Sequence, residues 1–251
     1  MTQPPSGRLY VIPNTLGLVP PSSVLPQETL AVARRLRHFV AETPKAARQF
    51  LKSLEPLVPL QSIAIAELSE HTLPAHVADL LDPALAGNDL GLVSDAGCPG
   101  IADPGAWLVA AAHRAGIQVV PLPGPSAILL ALMASGFNGQ AFSFHGYLPA
   151  KVEARLGAIK SLDEAVVRTG ATQVFIETPY RNEAMLDALL ATCRPATQLC
   201  VAVDLTLPSE QVISAAIAAW RKAARPALAK RPAVFLLGRD ETGAATLPRR
   251  S

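Results

Sequence analysis

Short apolar runs, each stopped by a cluster of Gly, Pro, Asn, Asp or Ser, alternate along this chain with longer stretches whose apolar residues return every three or four positions. The short runs predict strands at Leu9 to Ile12, His38 to Ala41, Ile63 to Leu68, Leu90 to Val93, Ile117 to Leu122, Ala141 to Leu148, Thr172 to Ile176, Leu199 to Val203 and Val234 to Leu237. The longer stretches predict helices at Gln27 to Arg37, Pro44 to Leu54, Thr72 to Ala86, Ser126 to Ser135, Glu183 to Thr192 and Ser214 to Ala223. Thr43 stands where an N-cap belongs before Pro44, with Phe50 and Leu51 on the buried side of that helix. Strands alternating with helices point to an α/β protein.

The pattern is densest between Gly91 and Ala127. A strand ending at Val93 delivers Ser94-Asp95-Ala96-Gly97-Cys98-Pro99-Gly100, Asp103 and Pro104 open a helix in which Trp107, Leu108 and Ala111 recur, and Gly116 closes it. Ile117 to Leu122 follows and ends in Pro123-Gly124-Pro125-Ser126-Ala127, where a new helix leaves. A crossover of this kind is expected to set two parallel strands side by side with both loops on one sheet edge, where open α/β sheets bind ligands. Asp95 suits a ligand hydroxyl or ammonium group, Gly97 and Gly100 permit close approach to backbone, and Ser126 offers a hydroxyl at a helix start. The same residues also suit two tight turns.

Length and composition narrow the classes. The 251 residues suit two domains, and with half of them hydrophobic and 17% charged the chain is expected to be globular. A net charge of +2 neither argues for nucleic acid nor excludes it. Cys98, Cys193 and Cys200 form no close metal-binding pair and make a poor disulfide framework, so a reducing cytoplasm and no metal are expected. No signal peptide or membrane helix is expected from the polar, Pro-rich start and the absence of a long apolar run, and residues 241 to 251 are expected to be a disordered tail.

The segments Ser94 to Gly105 and Val119 to Ala127 together resemble the signature of the tetrapyrrole methylase superfamily, and within it the branch of small-subunit ribosomal RNA (cytidine-2'-O)-methyltransferases. Weaker likenesses extend the match over about residues 9 to 238: Gly146-Tyr147-Leu148-Pro149 resembles Gly-Phe-Leu-Pro, Glu177-Thr178-Pro179-Tyr180-Arg181 resembles Glu-Ser-Pro-His-Arg, and Asp204 to Glu210 resembles Glu-Leu-Thr-Lys-x-x-Glu. Departures are the first loop, Asn14-Thr15-Leu16-Gly17 in place of Pro-Ile-Gly-Asn, Ala150 for a basic residue, Leu207 for the lysine, and a missing C-terminal extension. Glu42 matches an acidic residue that this branch carries after the second strand.

The resemblance implies an S-adenosylmethionine-dependent methyltransferase, homodimeric, with α/β domains at residues 1–124 and 125–240 and the cofactor in the cleft between them. It implies cofactor contacts at Pro13, Asp95, Gly97, Cys98, Ile101, Ser126, Ala127, Leu205, Pro232 and Ala233, and substrate contacts at Asn14, Lys151, Arg155 and Arg181. Lys151 and Arg155, four apart, are expected to share a helical face that could engage a phosphate or be ordinary solvated charge. The implied substrate is a ribosomal RNA 2'-hydroxyl on the small subunit; a corrinoid or porphyrin acceptor, and a non-catalytic cofactor-binding module, are the alternatives. Methyl transfer from a sulfonium is an in-line displacement in which alignment is the protein's main task. A hydroxyl acceptor also needs a proton acceptor, for which Glu70, His71 and Glu177 are candidates; for Glu177, an ion pair with Arg181 is an equally good account.

Overall fold

Strand β1 (Leu9–Ile12) is the pivot of the first half. In the structure, a computed structural model that describes residues 6–240, the chain runs from β1 through α1 (Gln27–Arg35), β2 (His38–Ala41), α2 (Pro44–Ser53), β3 (Ala64–Glu67), α3 (Asp82–Leu85), β4 (Leu90–Val93) and α4 (Gly105–Arg114) to β5 (Val119–Pro121). The strands form one parallel sheet in the order β3-β2-β4-β1-β5. Leu9, Val40, Leu90 and Leu92 face α4, whose Leu108, Ala111 and Ala112 cover them. Tyr10, Ile12, Phe39 and Val93 face the other way, against Leu30, Phe50 and Leu51 of α1 and α2. The two-residue period of the strands therefore feeds a core on each face, as a parallel sheet requires.

The second half begins with α5 (Ala127–Ser135) and continues through β6 (Phe142–Tyr147), α6 (Val152–Thr169), β7 (Thr172–Ile176), α7 (Asn182–Thr192), β8 (Gln198–Val203), β9 (Gln211–Ala216), α8 (Ile217–Trp220) and β10 (Ala233–Gly238). Its sheet is mixed, in the order β6-β7-β10-β8-β9, with β6 parallel to β7 and the remaining pairings antiparallel. Phe175 and Phe235 face each other across β7 and β10 with ring centroids 5.7 Å apart, inside a core filled from α6, α7 and α8 by Ile159, Leu189 and Trp220. The chain divides into two compact units, one up to Ser126 and one from Ala127. No helix among the described residues is long and apolar enough to cross a membrane; the tail expected at 241–251 lies outside the described residues.

Several expectations change. Strand β1 lies between β4 and β5, so the crossover strands are not neighbours, although both of their loops do leave the same edge. The helix expected over Thr72 to Ala86 breaks into 3-10 turns at Pro74–His76 and Ala78–Leu81 followed by the single turn α3, because Pro83 has no N–H to continue a helix through it. Ser214 to Ala223 is mostly not helical: β9 runs to Ala216 and pairs with β8 along all six residues, and α8 keeps one turn. β-Branched Val212 and Ile213, and a β8 edge that needs hydrogen-bond partners, outweigh the helix propensity of the alanines. Trp107 is exposed, because the buried stripe of α4 is Leu108, Ala111 and Ala112.

Candidate active site

The adjacent parallel strands β1 and β4 send the chain to opposite faces of the sheet, β1 toward α1 and β4 toward α4. That reversal opens a crevice beyond their carboxyl ends. Three loops meet there: Pro13 to Gly17 after β1, Ser94 to Asp103 after β4, and Leu122 to Ser126 after β5.

Asn14 ties the first two together. Its backbone N–H donates to Gly97 O at 2.9 Å, and its side-chain amide donates to Ser94 O and Asp95 O, both at 3.1 Å. Its Oδ1 accepts from Thr15 N at 2.8 Å. Buried and spent in this way, Asn14 holds the loops rather than presenting a free amide. Gly97 sits at φ +70°, where a side chain would be strained, and Cys98 Sγ donates to Pro125 O at 3.4 Å, joining the second loop to the third. Asp103 Oδ1 accepts from Gly100 N at 2.8 Å and Gly105 N at 2.7 Å and so ties the loop to the helix, which starts at Gly105, one residue later than expected, with Pro104 rather than Asp103 at its N-cap.

Asp95 is exposed at the mouth of this crevice and accepts a 2.7 Å hydrogen bond from Thr43 Oγ1. Thr43, expected as the cap of α2, makes no side-chain cap bond; the neighbouring carboxylate takes its hydroxyl instead. That role had no signal in the sequence, since the two residues are 52 positions apart. Glu42, beside Thr43, has its carboxyl raised above the ordinary 4.5 by burial first and then by the charges of Asp95, Asp103 and Glu70. Burial likewise raises the Asp103 carboxyl, against the hydrogen bonds from Gly100 and Gly105, and raises the Cys98 thiol. Burial is the first cause at all three groups, and the neighbouring carboxylates add to it at Glu42 and Asp103.

The remaining sites are distributed as follows. Ile101 is exposed, while Pro13 and Ser126 are buried in the loop cluster. Glu70 and His71 form an exposed pair 3.8 Å apart just beyond β3, the edge strand, two strands from β4. In the second unit, Asp204 N donates to Pro232 O at 3.0 Å and Ala233 is in register with Val203, which brings Leu205, Pro232 and Ala233 together. Asp204 Oδ2 accepts from Arg231 Nε at 2.7 Å and Ser209 Oγ at 2.8 Å, and fixes a turn in which Asp204 and Thr206 take left-handed backbone at φ +50° and +71°. Glu177 is fully buried and its Oε1 accepts from Arg181 Nη2 and Thr178 N, both at 2.6 Å, so the ion pair account fits its geometry. Lys151 and Arg155 do not share an exposed face: Lys151 precedes α6 and is exposed, whereas Arg155 is buried in its first turn. Among the described residues no group of three or more His, Cys, Asp or Glu is placed to hold a metal ion.

Residues 25–220 match the family model of the Tetrapyrrole (Corrin/Porphyrin) Methylases. The chain belongs to this family. Tetrapyrrole methylase relatives of known name include the "Ribosomal RNA small subunit methyltransferase I" of Vibrio cholerae, 32% identical over 81% of this chain and 67% of the relative. Those of Micromonospora olivasterospora, 36% identical over 83% and 62%, and Escherichia coli O157:H7, 32% identical over 86% and 72%, bear the same name. The chain thus spans about two thirds of the length of the relatives it matches. Among solved structures, the methyltransferase CobJ superposes with a TM-score of 0.63 at 20% identity, covering 94% of this chain and 95% of its own. A Thermus thermophilus uroporphyrin-III C-methyltransferase complexed with S-adenyl homocysteine gives 0.54 at 18%, covering 92% and 97%. These likenesses fix the tetrapyrrole methylase fold: two α/β units, the first built on a parallel sheet and the second on a mixed one.

Proposed function

We propose that the protein uses S-adenosylmethionine to methylate a ribose 2'-hydroxyl of small-subunit ribosomal RNA. What carries the reading is identity of 32–36% to relatives named as small-subunit ribosomal RNA methyltransferases, in a chain whose family match includes the two loops after β4 and β5. The site chemistry suits the cofactor. S-adenosylmethionine, when bound, supplies a sulfonium methyl group open to in-line attack, and carries its positive charges into the reaction. Glu42, Asp95 and Asp103 provide the negative field such a cation needs, and Asp95 has a free carboxylate oxygen for an ammonium or hydroxyl donor. Alignment by these fixed loops is the protein's main contribution to rate.

A hydroxyl acceptor gives up its proton as the new C–O bond forms. Glu70 and His71 are an exposed pair within reach of solvent, whereas Glu177 is buried, with Oε1 held by Arg181 and Thr178 and Oε2 without a hydrogen-bond partner. The same reading has the enzyme acting as a homodimer in the cytoplasm. Sedimentation tests the first point.

The deciding experiment is calorimetric titration with S-adenosylmethionine and S-adenosylhomocysteine, followed by methyl transfer to unmodified small ribosomal subunits. Binding with transfer supports the reading. Binding without transfer removes the RNA substrate and leaves a corrinoid or porphyrin acceptor, or a non-catalytic binder, to be tested with those acceptors. No binding overturns the proposal.

A further inference from the structure

Two of the chain's three tyrosines stand exposed on one edge of the second sheet. Tyr147 closes β6 and is 54% exposed; Tyr180, in the turn after β7, is 82% exposed, the most of any Phe, Tyr or Trp among the described residues. Strands β6 and β7 are parallel neighbours with Tyr147 in register with Ile176, so both rings belong to the same carboxyl-terminal edge. An aromatic ring left in water forfeits the burial that ordinarily justifies it, and two on one edge mark a surface that meets something flat.

The charges around them are arranged by the fold. Arg181 is neutralised by buried Glu177 and Arg231 by Asp204. Lys151 and Lys230 are exposed and have no ion-pair partner among the described residues. Lys230 is set beside Tyr180 by its N–H, which donates to Pro179 O at 3.1 Å, in left-handed backbone at φ +61°. Lys151 lies four residues beyond Tyr147. Each ring therefore has an uncompensated cation near it in the chain or across a loop contact. That is the composition of a single-strand nucleic-acid surface, where aromatic faces stack on unpaired bases and lysines meet phosphates.

Resting on the RNA reading above, we propose that Tyr147 and Tyr180 form a stacking platform for unpaired nucleotides of the RNA substrate, with Lys151 and Lys230 taking the adjoining phosphates. Stacking at these rings favours a loop or single strand over a duplex, whose bases are already stacked.

The test is fluorescence anisotropy of a labelled, unstructured pyrimidine octaribonucleotide and of a matched abasic strand, with Tyr147→Ala, Tyr180→Ala, Tyr180→Phe and Lys230→Ala. The expected result is roughly tenfold weaker binding of the octamer for each alanine variant of tyrosine and near-full retention in Tyr180→Phe. The abasic strand should not distinguish Tyr from Ala, and Lys230→Ala should lower the salt slope by about 0.7. Unchanged melting temperature and S-adenosylhomocysteine affinity check that the variants fold. Unchanged octamer affinity in both tyrosine-to-alanine variants, in an enzyme that still methylates ribosomal subunits, overturns the platform and leaves the RNA reading standing. A wild-type protein that binds S-adenosylhomocysteine but neither binds the octamer nor methylates ribosomal subunits overturns both.

Discussion

Asp95, Glu42 and Glu177 are three carboxylates with three different fates, and their surroundings make the difference. Asp95 is exposed and only singly bonded, so it retains an oxygen for a ligand. Its replacement in Asp95→Ala should weaken S-adenosylhomocysteine binding about tenfold by calorimetry, and Ser126→Ala about threefold. Glu42 is held protonated to higher pH than in the unfolded chain. Stability therefore falls as pH rises from the ordinary 4.5 through the raised value, and the cost is present in full above it. Glu42→Gln should raise the melting temperature of the ligand-free protein at pH 7. That gain should vanish at a pH well below the ordinary value, while affinity for the cationic S-adenosylmethionine drops. Glu177 has a side chain with no solvent exposure and leaves a cation behind when removed. Glu177→Ala should cost on the order of 2–4 kcal/mol in urea unfolding, with Arg181 remaining partly solvated and keeping the loss at the lower end.

Elements are placed by what their loops permit. The first loop packs so closely on the other two that a Cβ on Gly124 would lie 2.4 Å from Pro13 Cβ, and one on Gly97 would lie 3.2 Å from Leu16 Cδ2 in a φ +70° backbone. Gly124→Ala should destabilise by about 1–3 kcal/mol and disturb cofactor binding together with stability, as measured by denaturant melts and titration of the same sample. The short runs that make β1, β4 and β7 were legible because turn formers bound them on both sides. The stretch from Thr72 to Ala86 and the end of β9 were not: their composition suits a helix, and the outcome depends on Pro83 in one case and on the waiting edge of β8 in the other.

At the scale of the whole molecule the charge is uneven. Up to Ser126 the chain has 8 Lys and Arg against 10 Asp and Glu; from Ala127 it has 14 against 10. The acidic half holds the carboxylates suited to a cationic cofactor, and the basic half holds the tyrosine edge suited to RNA. S-adenosylhomocysteine at a hundred times its Kd should raise stability by about 2.7 kcal/mol, visible as a higher melting temperature if binding requires the folded protein. The sequence by itself determined the α/β class, the family and the two Gly/Pro-rich loops, because strand periodicity, turn chemistry and linked motifs are local properties. Only the tertiary structure decided that β1 sits between β4 and β5, that Thr43 serves Asp95 instead of its own helix, that Arg155 is buried, and that Tyr147 and Tyr180 share an edge. Each of those depends on which distant strand end becomes a neighbour, and residues far apart in sequence carry no local pattern that announces it.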